Sequence, residues 1–336
     1  MSARSISASS QATRISIGAG LLLALASVAV SLALVETALR LAHFEYHLMP
    51  TVQFGWPDPQ TIATNYADDA DLFWVTRDYR AKLAAARRTH PDVIFMGDSC
   101  TEFGTYPTRT MDALAANHSP FRTGVHLAAG GWSSEQGLVQ LQRDIIPLHP
   151  KVAVIFFGWN DHWIALGPTD SALHDARRFL WVADHSRVAE AALKAEMGLS
   201  ARGPRHPSRV PPDRYRDNLE RMAALAKEAG IAPVFVTAPS NYVAGHEPEY
   251  LLRRHVRRLS DVIPLHQQYI QLTRDAARAS GGTLCDAAAT FASIPGSHDR
   301  FFKPDAIHFT SEGDQQLAQI VSGCIVQAAG LRKGHE

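Results

Sequence analysis

The sequence has no excess of charge: 33 Lys and Arg face 33 Asp and Glu over 336 residues, and no basic block stands out. A nucleic-acid-binding surface needs such a block or stripe, so the composition argues against that class of partner. Cysteine is scarce. Cys100, Cys285 and Cys324 lie far apart, without the short paired spacings that hold zinc. An odd count leaves at least one thiol outside any intramolecular disulfide, and the sequence does not say whether the other two pair. No internal repeat is present, which removes solenoids and propellers.

Charge is also missing from one long stretch. From Ile15 to Val35 no Asp, Glu, Lys or Arg occurs, and at 1.5 Å per residue this length crosses a hydrocarbon layer of about 30 Å. The expectation is an uncleaved anchor spanning about residues 15–35 within a segment 1–43. The competing reading is a cleaved signal peptide, whose apolar region is ordinarily shorter. Arg4 and Arg14 precede the span and Arg40 follows it, so the positive-inside bias puts the N-terminus in the cytoplasm and the remainder beyond the inner membrane. After signal cleavage, the chain would instead be periplasmic or secreted.

Beyond the apolar stretch the chain alternates. Residues 44–70, with Pro50, Pro57 and Pro59, read as an irregular connector, and order resumes near Asp71. Short apolar runs at Val93–Met96, Val125–Leu127, Val152–Phe157, Pro233–Thr237 and Thr283–Cys285 read as strands. Helices are expected at Pro107–Ala116, Ser133–Leu148, Pro212–Glu228, in a stretch ending near Ser280, and at Ser311–Ala329. In the third of these, Tyr215, Leu219 and Met222 recur at spacings of three and four, Pro212 opens the segment and Gly230 stops it. The βαβ rhythm implies a parallel sheet covered on both faces, with its ligand at the carboxyl ends of the strands. Residues 163–210 interrupt that rhythm as an insertion, either a lid or a solvated excursion.

Motifs placed just after strands therefore matter most. Gly97-Asp98-Ser99 ends the first run. Ser99 is either the cap of the next helix, its hydroxyl accepting a first-turn amide, or a nucleophile. Cys100 beside it reads as a small first-turn residue. After the second run comes a Gly pair, Gly130-Gly131, and a residue without Cβ lets a backbone amide approach a ligand closely. After the third come Asn160 and Asp161. Near the C-terminus Asp305 precedes His308 by three residues, just before the last helix.

These blocks, in this order and at these places, resemble the SGNH hydrolases, also called the GDSL esterase and lipase family, from about Asp71 to Leu331. The resemblance implies a flavodoxin-like three-layer α/β/α sandwich for a domain at 71–332, preceded by the membrane helix. It implies Ser99 as nucleophile, His308 as the base that takes its proton, and Asp305 as the carboxylate behind the imidazole. The oxyanion hole would be the amides of Ser99 and Gly131 with the side chain of Asn160; Gly131 is preferred over Gly130 because its aromatic-Ser surroundings match the family run. Asp98 and Asp161 would organise loops. His126 stands where relatives usually carry Asn, which would alter the bracing of the second loop. His162 and Trp163 line the pocket or pack beneath the insertion. Neither metal nor organic cofactor is implied. The expected activity is hydrolysis of a carboxylic ester on a small molecule or polysaccharide, with O-acetyl groups on envelope carbohydrate as the first guess. The alternatives are acyl transfer by the same triad and a non-catalytic envelope binding protein.

Overall fold

The computed structural model describes residues 17–45, 64–165, 169–174, 182, 185–201, 207–253 and 255–330. It divides into two compact units, Met1–Tyr46 with Phe179–Lys194, and His47–Arg178 with Ala195–Glu336.

In the first unit helix α1, Ile17–Leu41, runs 25 residues, about 37 Å at 1.5 Å per residue, and is long and apolar enough to cross a membrane. It continues past Val35, and its last turns carry Glu36 and Arg40. The Glu36 carboxylate accepts from Ser186 Oγ and from the amides of Arg187 and Val188, while Arg40 donates to the His185 carbonyl. Arg187 begins a later helix. The orphan amides of its first turn are thus satisfied by a carboxylate from α1.

The second unit opens earlier than the connector reading expects. Tyr66–Asp69 (β1) pairs antiparallel with Phe73–Thr76 (β2), so order begins within the segment read as irregular; residues 46–63 lie outside the described residues. Asp69 closes the turn by accepting the amides of Asp71 and Leu72, and Phe73 takes φ +66°, a costly backbone conformation for a residue with a Cβ. Four-residue strands with little alternation give no periodic signal, which explains the difference.

The main sheet has five parallel strands: β3 Val93–Gly97, β4 Gly124–Ala128, β5 Val152–Phe156, β6 Ala232–Val236 and β7 Thr283–Cys285. Their order is β4-β3-β5-β6-β7, which places the first strand of the sheet inside it, as in flavodoxin-like folds. β3 and β5 are buried along their whole length, as expected of apolar strands covered on both faces. Their registers align: Gly97 pairs with Ala128 on one side and Phe156 on the other, so three chains leave the sheet along one edge. This is the switch point, and Ser99, Gly131 and Asn160 all lie just beyond it.

The helices of this unit are α2 Tyr79–Thr89, α3 Ser99–Glu102, α4 Tyr106–Ala116, α5 Ser134–Gln140, α6 Arg187–Ala201 (whose first turns belong to the first unit), α7 Pro212–Glu228, α8 Val262–Ser280, α9 Ala287–Ser293, α10 Ser297–Phe301 and α11 Ser311–Ala328. α4 and α11 cover one face of the sheet; α5, α7 and α8 cover the other. The helix expected at Ser133–Leu148 changes character, with a π turn at Leu141–Ile145 and a 3-10 turn at Ile146–Leu148. Cys285 and Cys324 form a disulfide that joins β7 to α11, and Cys100 is the free, buried thiol.

The stem of the insertion is held firmly. Ile164 bridges Ser208, the amide of Arg209 donates to Trp163 O, and that of Val210 to Asp161 O. Fully buried Arg209 grips Asp170, which also accepts from Ser133 Oγ. Residues 166–168, 175–181, 183–184 and 202–206, where much of the lid reading falls, lie outside the described residues.

Candidate active site

β3 ends at Gly97, whose missing Cβ is required: one placed there would come 2.2 Å from Thr101 Oγ1. The chain turns directly into α3. Its cap is Asp98, whose side chain accepts the Cys100 amide at 3.0 Å, so the Ser99 hydroxyl is left for another partner. That partner is His308 Nε2, 2.9 Å away. His308 Nδ1 stands 2.8 Å from Asp305 Oδ2, and Asp305 Oδ1 accepts the amides of Ile307 and His308 at 2.9 and 2.8 Å. The carboxylate thereby folds back under the ring within one turn, with Ala306 at φ +64° in that turn. Half-burial works to raise the Asp305 carboxyl, but the hydrogen bonds from the His308 ring and the two amides hold it below its ordinary value. Ser99, Asp305 and His308 thus form one chain of hydrogen bonds.

The three expected oxyanion donors converge on the same strand edge, in different conditions. The amides of Ser99 and Gly131 donate to no protein group among the described residues. The amide of Gly130 is taken by the Glu102 carboxylate. Asn160 Nδ2 is engaged twice, to Asp98 Oδ2 at 3.1 Å and Trp132 O at 3.0 Å. Complete burial pushes the Asp98 carboxyl up to about 6 against the pull of the Cys100 amide, and that of Asp161 up to about 7. Asp161 accepts the amides of Ser134 and Gly158, tying the second and third loops together.

Other expectations resolve differently. His126 sits in the middle of β4 opposite Phe95, its ring 3.2 Å from Lys82 Nζ. His162 and Trp163 are both buried: His162 packs among Trp159, His266 and Tyr269, with its Nε2 3.1 Å from His266 Nδ1, and Trp163 stands edge-on to His162 and His255. Burial pushes the Cys100 thiol up, away from thiolate chemistry.

Four neighbours escaped the sequence reading. Tyr66 Oη donates to Glu102, Trp74 Nε1 donates to Gly130 O at 2.9 Å, and Phe103 stands 58% exposed with its ring centre 6.2 Å from that of His308. Glu102 and Phe103 were within reach, since a helix starting at Ser99 brings the third and fourth residues back over its first turn. Nothing in the sequence points to Tyr66 or Trp74.

Among the described residues no cluster of three or more His, Cys, Asp or Glu is arranged to hold a metal ion. The switch-point serine and the hydrogen-bonded histidine meet at the carboxyl edge of the parallel sheet. The chain belongs to the GDSL-like lipase/acylhydrolase family, whose sequence model matches residues 95–316. It is an enzyme of the ester-hydrolase class. Several solved structures are similar to it at low identity. A lipase/acylhydrolase from Enterococcus faecalis is 17% identical, over 73% of this chain and 98% of its own, with a TM-score of 0.47. A GDSL-like lipase from Bacteroides thetaiotaomicron is 19% identical, over 78% and 98%, at 0.46. An acetylxylan esterase from Geobacillus stearothermophilus is 14% identical, over 71% and 94%, at 0.43. No curated protein matches the sequence.

Proposed function

We propose that the chain is a membrane-anchored, extracytoplasmic serine esterase that hydrolyses a carboxylic ester through an acyl-enzyme. The observation that carries this reading is the unbroken sequence of contacts from Ser99 Oγ through His308 to Asp305. His308 takes the Ser99 proton as Oγ attacks the ester carbonyl, then gives that proton to the departing alcohol; water, deprotonated by the same ring, releases the acid. Asp305 holds the imidazole in the tautomer that leaves Nε2 able to accept. The amides of Ser99 and Gly131 and the side chain of Asn160 receive the oxyanion.

Phe103 supports a carbohydrate on the alcohol side. Its exposed ring lies beside His308, where the leaving group receives its proton, and an aromatic face there suits the apolar face of a sugar. An O-acetyl group on envelope polysaccharide is the substrate class this favours. The apolar α1 supports anchoring, and the Cys285–Cys324 disulfide supports an oxidising compartment outside the cytoplasm.

The test is hydrolysis of p-nitrophenyl acetate, butyrate and octanoate by the full chain in detergent, beside Ser99→Ala. Preference for acetate, abolished in the variant, is the expected result. A folded parent as inert as the variant on all three overturns hydrolysis. Acylated sugar in place of free acid, when an acceptor sugar is added, moves the function to transfer.

A further inference from the structure

The Gly130-Gly131 peptide is a place where the backbone has a choice. Trp132 N donates to Ala129 O at 3.2 Å, closing a four-residue turn, and Gly131 at its third position has φ +80°. That is the signature of a type II turn, whose central peptide is reversed relative to type I. The peptide is planar and trans, so the direction of the Gly130 carbonyl fixes the opposite direction of the Gly131 N–H. Two adjacent glycines accept either orientation at little steric cost. Something outside the turn must therefore select one.

One side chain makes that selection, and a second anchors the peptide just before it. Fully buried Trp74 donates its indole N–H to Gly130 O at 2.9 Å, and Trp132 returns a bond from its own indole to Trp74 O at 2.8 Å. On the other side of the same residue, Glu102 accepts the Gly130 N–H and is itself steadied by Tyr66 Oη on the same carboxylate oxygen. A Cβ on Gly130 would come 2.5 Å from Tyr66 Oη and 3.6 Å from Ser99 Cβ, which places the clamp against the nucleophile. Phe73, in its strained positive-φ conformation, immediately precedes Trp74. Tyr66 and Trp74 belong to the β1–β2 hairpin, upstream of the segment that matches the family.

We propose that Trp74 is a positioning residue that holds the Gly130-Gly131 peptide in the orientation that presents the Gly131 amide to the oxyanion, that Glu102 supports it by fixing the Ala129-Gly130 peptide from which that turn starts, and that the β1–β2 hairpin is thereby a working part of the active site. This rests on the esterase reading. Without Trp74 Nε1 the turn relaxes toward type I, and the Gly131 N–H swings away while Ser99, Asp305 and His308 stay in place.

The experiment uses the full chain in detergent with Trp74→Phe, which keeps an aromatic ring and removes the N–H, and with Glu102→Ala and Glu102→Gln. Both contacts to Glu102 fall on one oxygen, so a Gln oxygen can take them. Measured quantities are kcat and KM on p-nitrophenyl acetate, and the inhibition constant of phenylboronic acid, whose tetrahedral serine adduct mimics the intermediate. Expected for Trp74→Phe and Glu102→Ala is a fall in kcat of about 10- to 100-fold with KM nearly unchanged, and boronate affinity weakened by the same factor as kcat/KM; Glu102→Gln restores most of it. A folded Trp74→Phe with parent kcat and boronate affinity overturns the proposal, as does a change confined to KM. If Trp74→Phe does not fold, the Glu102 pair decides: loss in Ala with rescue in Gln supports the clamp, and parent kcat in Glu102→Ala overturns it. An inert parent overturns the esterase reading and this proposal together, whereas an active parent with unaffected variants overturns the proposal alone.

Discussion

Asn160 Nδ2 donates to Asp98 Oδ2, so the loop after β5 is fastened to the residue immediately before the serine. The same nitrogen bonds Trp132 O, and both of its hydrogens are committed to the protein. In the proposed mechanism, Asn160 reaches the oxyanion by sharing or exchanging one of these hydrogen bonds, in a position the protein has already fixed. Asn160→Ala is expected to lower kcat by about 10²- to 10³-fold with little change in KM. Asn160→Asp should be worse, because it sets a carboxylate against Asp98 and against the developing negative charge. Steady-state kinetics on p-nitrophenyl acetate checks both.

The raised carboxyls of Asp98 and Asp161 give stability an unusual dependence on pH. A buried acid whose folded-state value lies at about 6 or 7, against 3.8 ordinarily, binds its proton more tightly in the folded than in the unfolded chain. Its contribution is most favourable below about pH 4, declines as pH rises through 6 and 7, and is level above that. The part of the thermal midpoint that these groups control should therefore rise on acidification from pH 8 to pH 5. Asp161→Asn, though less stable throughout, should show a smaller difference in Tm between those two pH values than the parent.

Arg209 and Asp170 form a fully buried pair at the root of the insertion. Removing one partner takes away a buried, hydrogen-bonded ion pair. Asp170→Ala should cost about 3 to 5 kcal/mol in denaturant unfolding and expose the segment near Val210 to proteolysis. Unchanged stability would mean that the insertion is not held through this contact.

The Cys285–Cys324 disulfide closes a loop of 39 residues between β7 and α11. Reduction should lower stability by about 2 to 4 kcal/mol. Cys100 is buried and should stay unmodified by a maleimide in the native protein, so only the two released thiols should label after reduction. Mass spectrometry of labelled peptides, with Tm measured with and without reductant, tests both statements.

Much of the fold is legible in the sequence because buried parallel strands are continuous apolar runs and amphipathic helices repeat at three and four residues. Pro212–Glu228 matches its expected bounds, and the five strands of the main sheet fall where the apolar runs lie. Ser99, Asp305 and His308, which the structure joins by hydrogen bonds, can be picked out because a strand end, a Gly and an Asp-x-x-His turn are local patterns. Long-range packing decides the rest, and no local pattern carries it. Trp74 lies in four buried residues indistinguishable from any apolar run, and its indole meets a glycine 56 residues away. The pairing of Cys285 with Cys324 depends on α11 lying against β7, which no spacing encodes. His126 falls inside the expected strand run Val125–Leu127, and the register sets it beside Phe95, but its approach to Lys82 on another element has no local signal.

The bond between Glu36 and the start of α6 changes what it means to shorten this protein. A soluble fragment made by deleting everything before Phe44 loses more than a hydrophobic tail, because three donors on Ser186, Arg187 and Val188 lose the carboxylate that answers them. Such a fragment is a different molecule around residues 185–190, and its behaviour there describes the cut as much as the chain. Work on the insertion therefore belongs with the intact polypeptide.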